Sequence, residues 1–290
     1  MERNKNNRGT TIIYGNGLNR VGNNDCPSWT DLLTQLDLPS PIQSIRNDIL
    51  STPATIQYDL LELCSKLPPS MLLEQMCKKI SGPWKNEIYE RLFALRTKCN
   101  FLTTNYDLSL ESYSVNKKRY GTEVVYNLYT YYNLCQETNQ YGKVWHIHGN
   151  VQNRKSIILG YDHYCRQIAR IRDYIPMQLR KVALTDQQKV NWKGESWINL
   201  FFSDDIYIIG LGLDFAELDL WWLIDLWARC KKNDIIRNKI VYMDVATTEK
   251  TNPLSKIFEN YGMEYKVFRR QEYIEAYSDC LDELNTFLCN

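Results

Sequence analysis

No two of the nine cysteines stand as Cys-x-x-Cys. Cys26, Cys64, Cys77, Cys99, Cys135, Cys165, Cys230, Cys280 and Cys289 are odd in number and scattered, which argues against a disulfide framework or a zinc ribbon and for reduced thiols in a cytosol. Long apolar runs are also missing. The richest late stretch, LDLWWLIDLWA, carries Asp219 and Asp225 and is far too short to span a bilayer. The opening MERNKNNRG has no apolar core of a secretory signal. Excess charge of either sign is absent: the formal net charge is +1, so no global field draws nucleic acid or an anionic membrane. Lys117-Lys118-Arg119, Lys231-Lys232 and Arg269-Arg270 read as solvated patches. Internal repeats and low-complexity segments are lacking too. These absences predict a soluble, cytoplasmic protein with no membrane partner and no direct nucleic-acid binding.

What remains is ordinary globular material, 44% hydrophobic and 24% charged over 290 residues. That length suits one large α/β domain carrying insertions. Apolar runs at 11–14, 100–103, 144–147, 205–209, 239–243 and 264–268 read as buried strands. Helical segments alternate with them, among them 215–229 and 271–288. Ser28-Trp29-Thr30-Asp31 before LLTQL has the form of a capping box. The alternation predicts a Rossmann-like, doubly wound parallel sheet within a single domain over 1–290. Two helical regions interrupt it: an insertion or lid at 39–97, broken at Pro53, Pro68-Pro69 and Gly82-Pro83, and a second excursion at 165–200. In the helix at 215–229, positions 220, 223, 224 and 227 face the sheet, which leaves Trp221 or Trp222 for a subunit interface or for burial under the insertion.

Ligands of such sheets bind beyond the carboxyl ends of the strands. Four strand ends deliver Gly, Asn, Asp and His to one rim: Gly15, Asn16, Gly17 and Asn19 after the first, Thr103-Thr104-Asn105-Tyr106-Asp107 after the second, His146, His148, Gly149 and Asn150 after the third, and Gly210, Gly212 and Asp214 after the fourth. Gly15-x-Gly17 against the Thr-Ile-Ile-Tyr strand suits a close backbone approach to a phosphate, or a plain strand-to-helix turn. A dehydrogenase fingerprint is disfavoured, because Arg20 stands where its third glycine belongs. His146-x-His148 would put two rings on one strand face, a metal-like spacing. The chain has only three histidines, however, and no carboxylate partner is identifiable, so no metal is expected. Asn105 and Asp107, taken singly, could merely cap a turn.

These four blocks, YGNGLN, TTNYD, HIHG and IGLGLD, resemble in order the sirtuin family, and most closely its divergent members of bacterial antiphage defence, which hydrolyse NAD. The stretches CPSWTDLL, LTTNYDLSLE and SIILGYDHY share that character; the last looks like a strand and a turn after the His-Gly block. The resemblance implies an NAD+ glycohydrolase that gives nicotinamide and ADP-ribose. It implies catalytic Asn105, holding water and ribose, and catalytic base His148. It implies NAD contacts at Gly15, Asn16, Gly17, Asn19, Thr104, Asp107, Gly210 and Gly212, with the Gly15 and Gly17 amides approaching the pyrophosphate. His146 falls outside the motif and is expected to pack or to orient its neighbours. The zinc-binding cysteine pairs of the deacylases are absent here, so no zinc is expected, and NAD-dependent protein deacylation becomes the alternative beside a non-catalytic NAD or ADP-ribose sensor. The resemblance further implies regulation by assembly, as a homo-oligomer or with a partner such as a ring-forming ATPase. A neutral imidazole with a pKa near the working pH would suit the base role.

Overall fold

A computed structural model describes residues 8–23, 25–39, 45–80, 82–115, 118–121, 128–135, 140–176, 179, 195–249 and 252–289. Eight strands form one sheet: β1 (Thr10–Tyr14), β2 (Asn100–Thr103), β3 (Lys118–Tyr120), β4 (Tyr131–Asn133), β5 (Lys143–His146), β6 (Asp205–Ile209), β7 (Ile240–Ala246) and β8 (Glu264–Arg269). Their order is β3-β4-β5-β2-β1-β6-β7-β8. β5, β2, β1, β6, β7 and β8 run parallel, and β3 and β4 add an antiparallel edge beyond β5. The six parallel strands, taken in chain order, thus lie as 3-2-1-4-5-6, the doubly wound Rossmann arrangement. β3 and β4 were not expected. Three residues each are too few to display a strand period.

The strands are apolar on both faces, and their period of two divides them between two cores. Ile13, Leu102, Ile206, Ile208, Ile240 and Tyr242 join one cluster. Ile12, Tyr14, Phe101, Tyr207, Ile209, Val241 and Met243 join the other. The first face is covered by α7 (Tyr161–Tyr174), α8 (Trp197–Ser203), α9 (Leu218–Lys232) and α10 (Ser255–Asn260) through Ile171, Trp197, Phe201, Trp227 and Phe258. The second is covered by α6 (Glu87–Ala94) and α11 (Tyr273–Cys289) through Tyr89, Leu92, Tyr277 and Leu281. In α9, Leu220, Leu223, Ile224 and Trp227 are buried. Trp221 is half-buried and stacks on Phe258 and Phe215 of the same chain.

After β1 comes the single turn α1 (Gly17–Arg20), followed by α2 (Trp29–Thr34), whose Ser28 and Asp31 form the full capping box. Between α2 and β2 the described chain is helical: α3 (Arg46–Leu50), α4 (Ala54–Ser65), α5 (Pro69–Lys79) and α6. α2 to α5 build a third core of their own from Leu33, Ile49, Tyr58, Leu61, Leu72 and Met76, which docks onto Ile157 and Leu159. The stretch 156–159 is therefore not the expected strand: its apolar residues are buried in a loop, and Asp162 and Tyr164 lie in the first turns of α7. Much of the 165–200 excursion, at 177–178 and 180–194, lies outside the described residues.

Candidate active site

The strand order reverses between β1 and β6, and the loops leaving these two strands pack on each other. Gly15 N–H donates to Ile209 O at 3.2 Å and Gly17 N–H to Gly210 O at 2.8 Å. A Cβ on Gly17 would stand 2.5 Å from the Tyr277 hydroxyl. This corrects the role expected of Gly15 and Gly17. Their amides are committed to the neighbouring loop, so their smallness serves loop-on-loop packing rather than donation to a pyrophosphate. Gly210, at φ +60°, belongs to the same contact, while Gly212 is exposed.

Beside this junction lies a cavity of about 430 Å³. That volume is within the range of small-molecule sites. Asn16, Asn19, Thr104, Asn105, Asp107 and His148 all line it, whereas Gly15, Gly17, Gly210 and Gly212 do not. Its roof comes from α2 and α4, where the Trp29 indole N–H donates to Gln57 Oε1 at 3.0 Å. Tyr164 and Glu217 complete the side near His148. Its lining carries Asp107, Asp214 and Glu217, and no Lys or Arg among the described residues.

Buried hydrogen bonds fix the floor. Asn19 Nδ2 donates to Asn16 Oδ1 at 3.0 Å and to Asp107 Oδ2 at 2.7 Å. Asp107 Oδ1 accepts from the Ser109 amide at 3.0 Å and from the Ser109 hydroxyl. Asp107 therefore orders the loop, and burial raises its carboxyl pKa against these donors. Asn105 Nδ2 donates to the Tyr89 hydroxyl at 3.3 Å, and that hydroxyl donates onward to Asn19 Oδ1.

The two histidines after β5 serve separate networks. His146 faces the Asn105 carbonyl at 2.8 Å through Nδ1 and Glu111 Oε1 at 2.7 Å through Nε2. Both partners are acceptors, which places a proton on each ring nitrogen. Burial opposes that charge, but Glu111 and the carbonyl outweigh it and raise the pKa. His146 thus staples the Asn105 backbone to the sheet edge. His148 turns the other way. Its Nε2 stands 3.1 Å from both Asp219 oxygens, and its Nδ1 stands 3.6 Å from Glu217 Oε2. Gly149, at φ +84°, makes the turn behind it, where any Cβ would fall 2.1 Å from Ser156 O.

His148 is 1% exposed. Burial alone would lower its pKa, but Asp219 and Glu217 reverse the sign and push it up to about 9. The expectation of a neutral base is therefore corrected: two carboxylates hold this ring as an imidazolium. Burial in turn pushes Glu217 up to about 7, against the pull of His148. His148, Glu217 and Asp219 are also the group among the described residues whose donor atoms, all within 4.8 Å of one another, could take a metal ion. Their carboxylates flank opposite nitrogens of one ring, the arrangement of an imidazolium between two counter-ions. That no metal is bound remains an expectation.

Sequence reasoning missed Glu217, Asp219, Glu111 and Tyr89. Asp219 was visible only as a charge inside an apolar helix, and that was the available signal: a carboxylate on a core-facing helix position needs a buried partner. No curated protein matches the chain. Residues 100–189, which hold Asn105, Asp107, His146 and His148, match a family model described as SIR2-like domain, and that match supports a sirtuin-like reading with NAD-related chemistry in general.

Proposed function

We propose that this chain is an NAD+ hydrolase that cleaves the nicotinamide–ribose bond with water to give nicotinamide and ADP-ribose. The observation that carries the reading is the convergence of Asn105 and His148 on one cavity beside the strand-order reversal, within a stretch that matches a SIR2-like domain. The leaving group is a cationic ring, and the cavity offers it carboxylates with no competing Lys or Arg among its described lining residues. Cleavage passes through an oxocarbenium-like state, which a carboxylate placed beside the anomeric carbon stabilises. The Asn105 amide can accept and donate, so it suits holding water against the anomeric carbon. Asn16, Asn19, Thr104 and Asp107 shape the floor under the dinucleotide. By resemblance, the biological role is depletion of cellular NAD as an antiphage effector, controlled by self-association or by a partner protein.

The test is incubation of the purified chain with NAD+ alone, with nicotinamide and ADP-ribose quantified by chromatography. Hydrolysis without any peptide supports the proposal and separates it from deacylation. Asn105→Ala, which removes the water-holding amide, and His148→Ala, which removes the ring between Glu217 and Asp219, are each expected to lose most of the rate while keeping the fold. Wild-type turnover in either variant would refute its assigned role.

A further inference from the structure

Four carboxylates gather around the cavity, two have both oxygens engaged, and a third is held through one oxygen at the surface. Asp107 accepts from Asn19 through one oxygen and from Ser109 through the other. Asp219 does not line the cavity, and both its oxygens face His148 Nε2. Asp214 is exposed and accepts from the Ala216 amide at 3.0 Å. Glu217 differs. It lines the cavity from the residue before α9 and its side chain keeps 20% of its surface exposed, while its Oε2 is turned to His148, shut off from solvent and without a hydrogen-bond partner. An oxygen buried without a donor is costly to leave so, which marks this carboxylate as the one not yet fixed by hydrogen bonds. The nearest cation, His148 Nδ1, is 3.6 Å away, close enough to hold the charge but too far to bond it.

The geometry points to Glu217 as the carboxylate that faces the ribosyl cation and receives the proton of the attacking water, with His148 as its positioning partner. This assignment rests on the hydrolase reading above. In the step, the bond from ribose C1′ to the pyridinium nitrogen breaks and its electron pair neutralises the ring, so nicotinamide leaves uncharged. The water oxygen bonds to C1′. One water proton passes to Glu217 and then to solvent, and ADP-ribose keeps the hydroxyl. Carboxylates fill this place in most glycoside hydrolysis. Asp219 anchors His148 through Nε2, so its ring cannot swing away from Glu217.

The experiment uses the full chain with Glu217→Gln and Glu217→Asp. Nicotinamide release gives kcat and KM, and calorimetric titration gives NAD+ affinity. Glu217→Gln should cut kcat by about a hundred- to ten-thousand-fold and leave NAD+ affinity within about threefold. Glu217→Asp, which restores the charge on a shorter arm, should recover part of the rate and guards against a folding artefact. Turnover by Glu217→Gln within about threefold of wild type overturns the assignment and leaves the hydrolase standing. A loss confined to KM and affinity makes Glu217 a binding group and also overturns it. If wild type itself releases no nicotinamide, the hydrolase reading falls and the assignment falls with it.

Discussion

At the scale of single residues, charge placement decides the chemistry. His148 is a buried imidazolium rather than a free base, and the sign of its pH dependence follows. Its folded pKa, raised to about 9, exceeds the ordinary 6.5. The stability it contributes is fully present below about pH 6.5 and is lost as pH rises through about 9. We therefore expect NAD cleavage to fall on the alkaline side, near pH 9, as His148 loses its proton, and on the acid side, near pH 7, as Glu217 gains one. A pH–rate profile alongside thermal melts at matched pH checks this. Asp219→Asn, which removes the stronger partner, should move the alkaline limit to lower pH; an unmoved limit would refute the pairing. His146 and Glu111 invite a second test. Glu111→Gln leaves a buried imidazolium without its counter-charge, and breaking such a pair typically costs about 3–5 kcal/mol. Urea unfolding should read that loss. Because His146 also holds the Asn105 carbonyl, kcat should fall more than KM rises.

Elements are the scale at which core and roof are built. α9 lays Leu220, Leu223, Ile224 and Trp227 on the sheet, and the Trp227 indole N–H reaches Asn238 Oδ1 at 3.1 Å. Trp227→Ala removes that bond and opens a large cavity, so a loss of about 3–5 kcal/mol is expected in denaturant unfolding. The roof should behave differently. Trp29 is held over the cavity by Gln57 and packs against the small third core. Trp29→Ala should raise KM for NAD+ with little change in melting temperature, as expected when uniform binding surface is lost. An unchanged KM would mean that the roof takes no part in binding. Most elements could be anticipated because each carries a local signature, such as the capping box at Ser28 or the unbroken apolar run of β6. β3 and β4 could not, since three-residue edge strands borrow their pairing from a neighbour rather than from their own pattern.

For the whole molecule, the doubly wound topology sets where any ligand can lie. Phe215 is 63% exposed and continues the aromatic stack of Trp221 and Phe258 to the surface. If the chain self-associates through this end of α9, Phe215→Ala should shift sedimentation velocity profiles toward a smaller species, and identical profiles would place assembly elsewhere. The residues that gather at the cavity were legible as four rim blocks, because parallel strands carry their carboxyl ends to one edge whatever the details. Asn105, Asp107 and His148 stand among the residues that this rule brings to the rim, and the family resemblance is what singled them out there. The sequence by itself determined the layered α/β architecture, since strand and helix periods are local and repeat along the chain. Only the tertiary structure decided that the Gly15 and Gly17 amides are spent on the β6 loop, that the two histidines point apart, and that Asp219 and Glu217 hold His148 charged. Those outcomes depend on distances between residues up to about 200 positions apart, set by packing, and no local pattern encodes them.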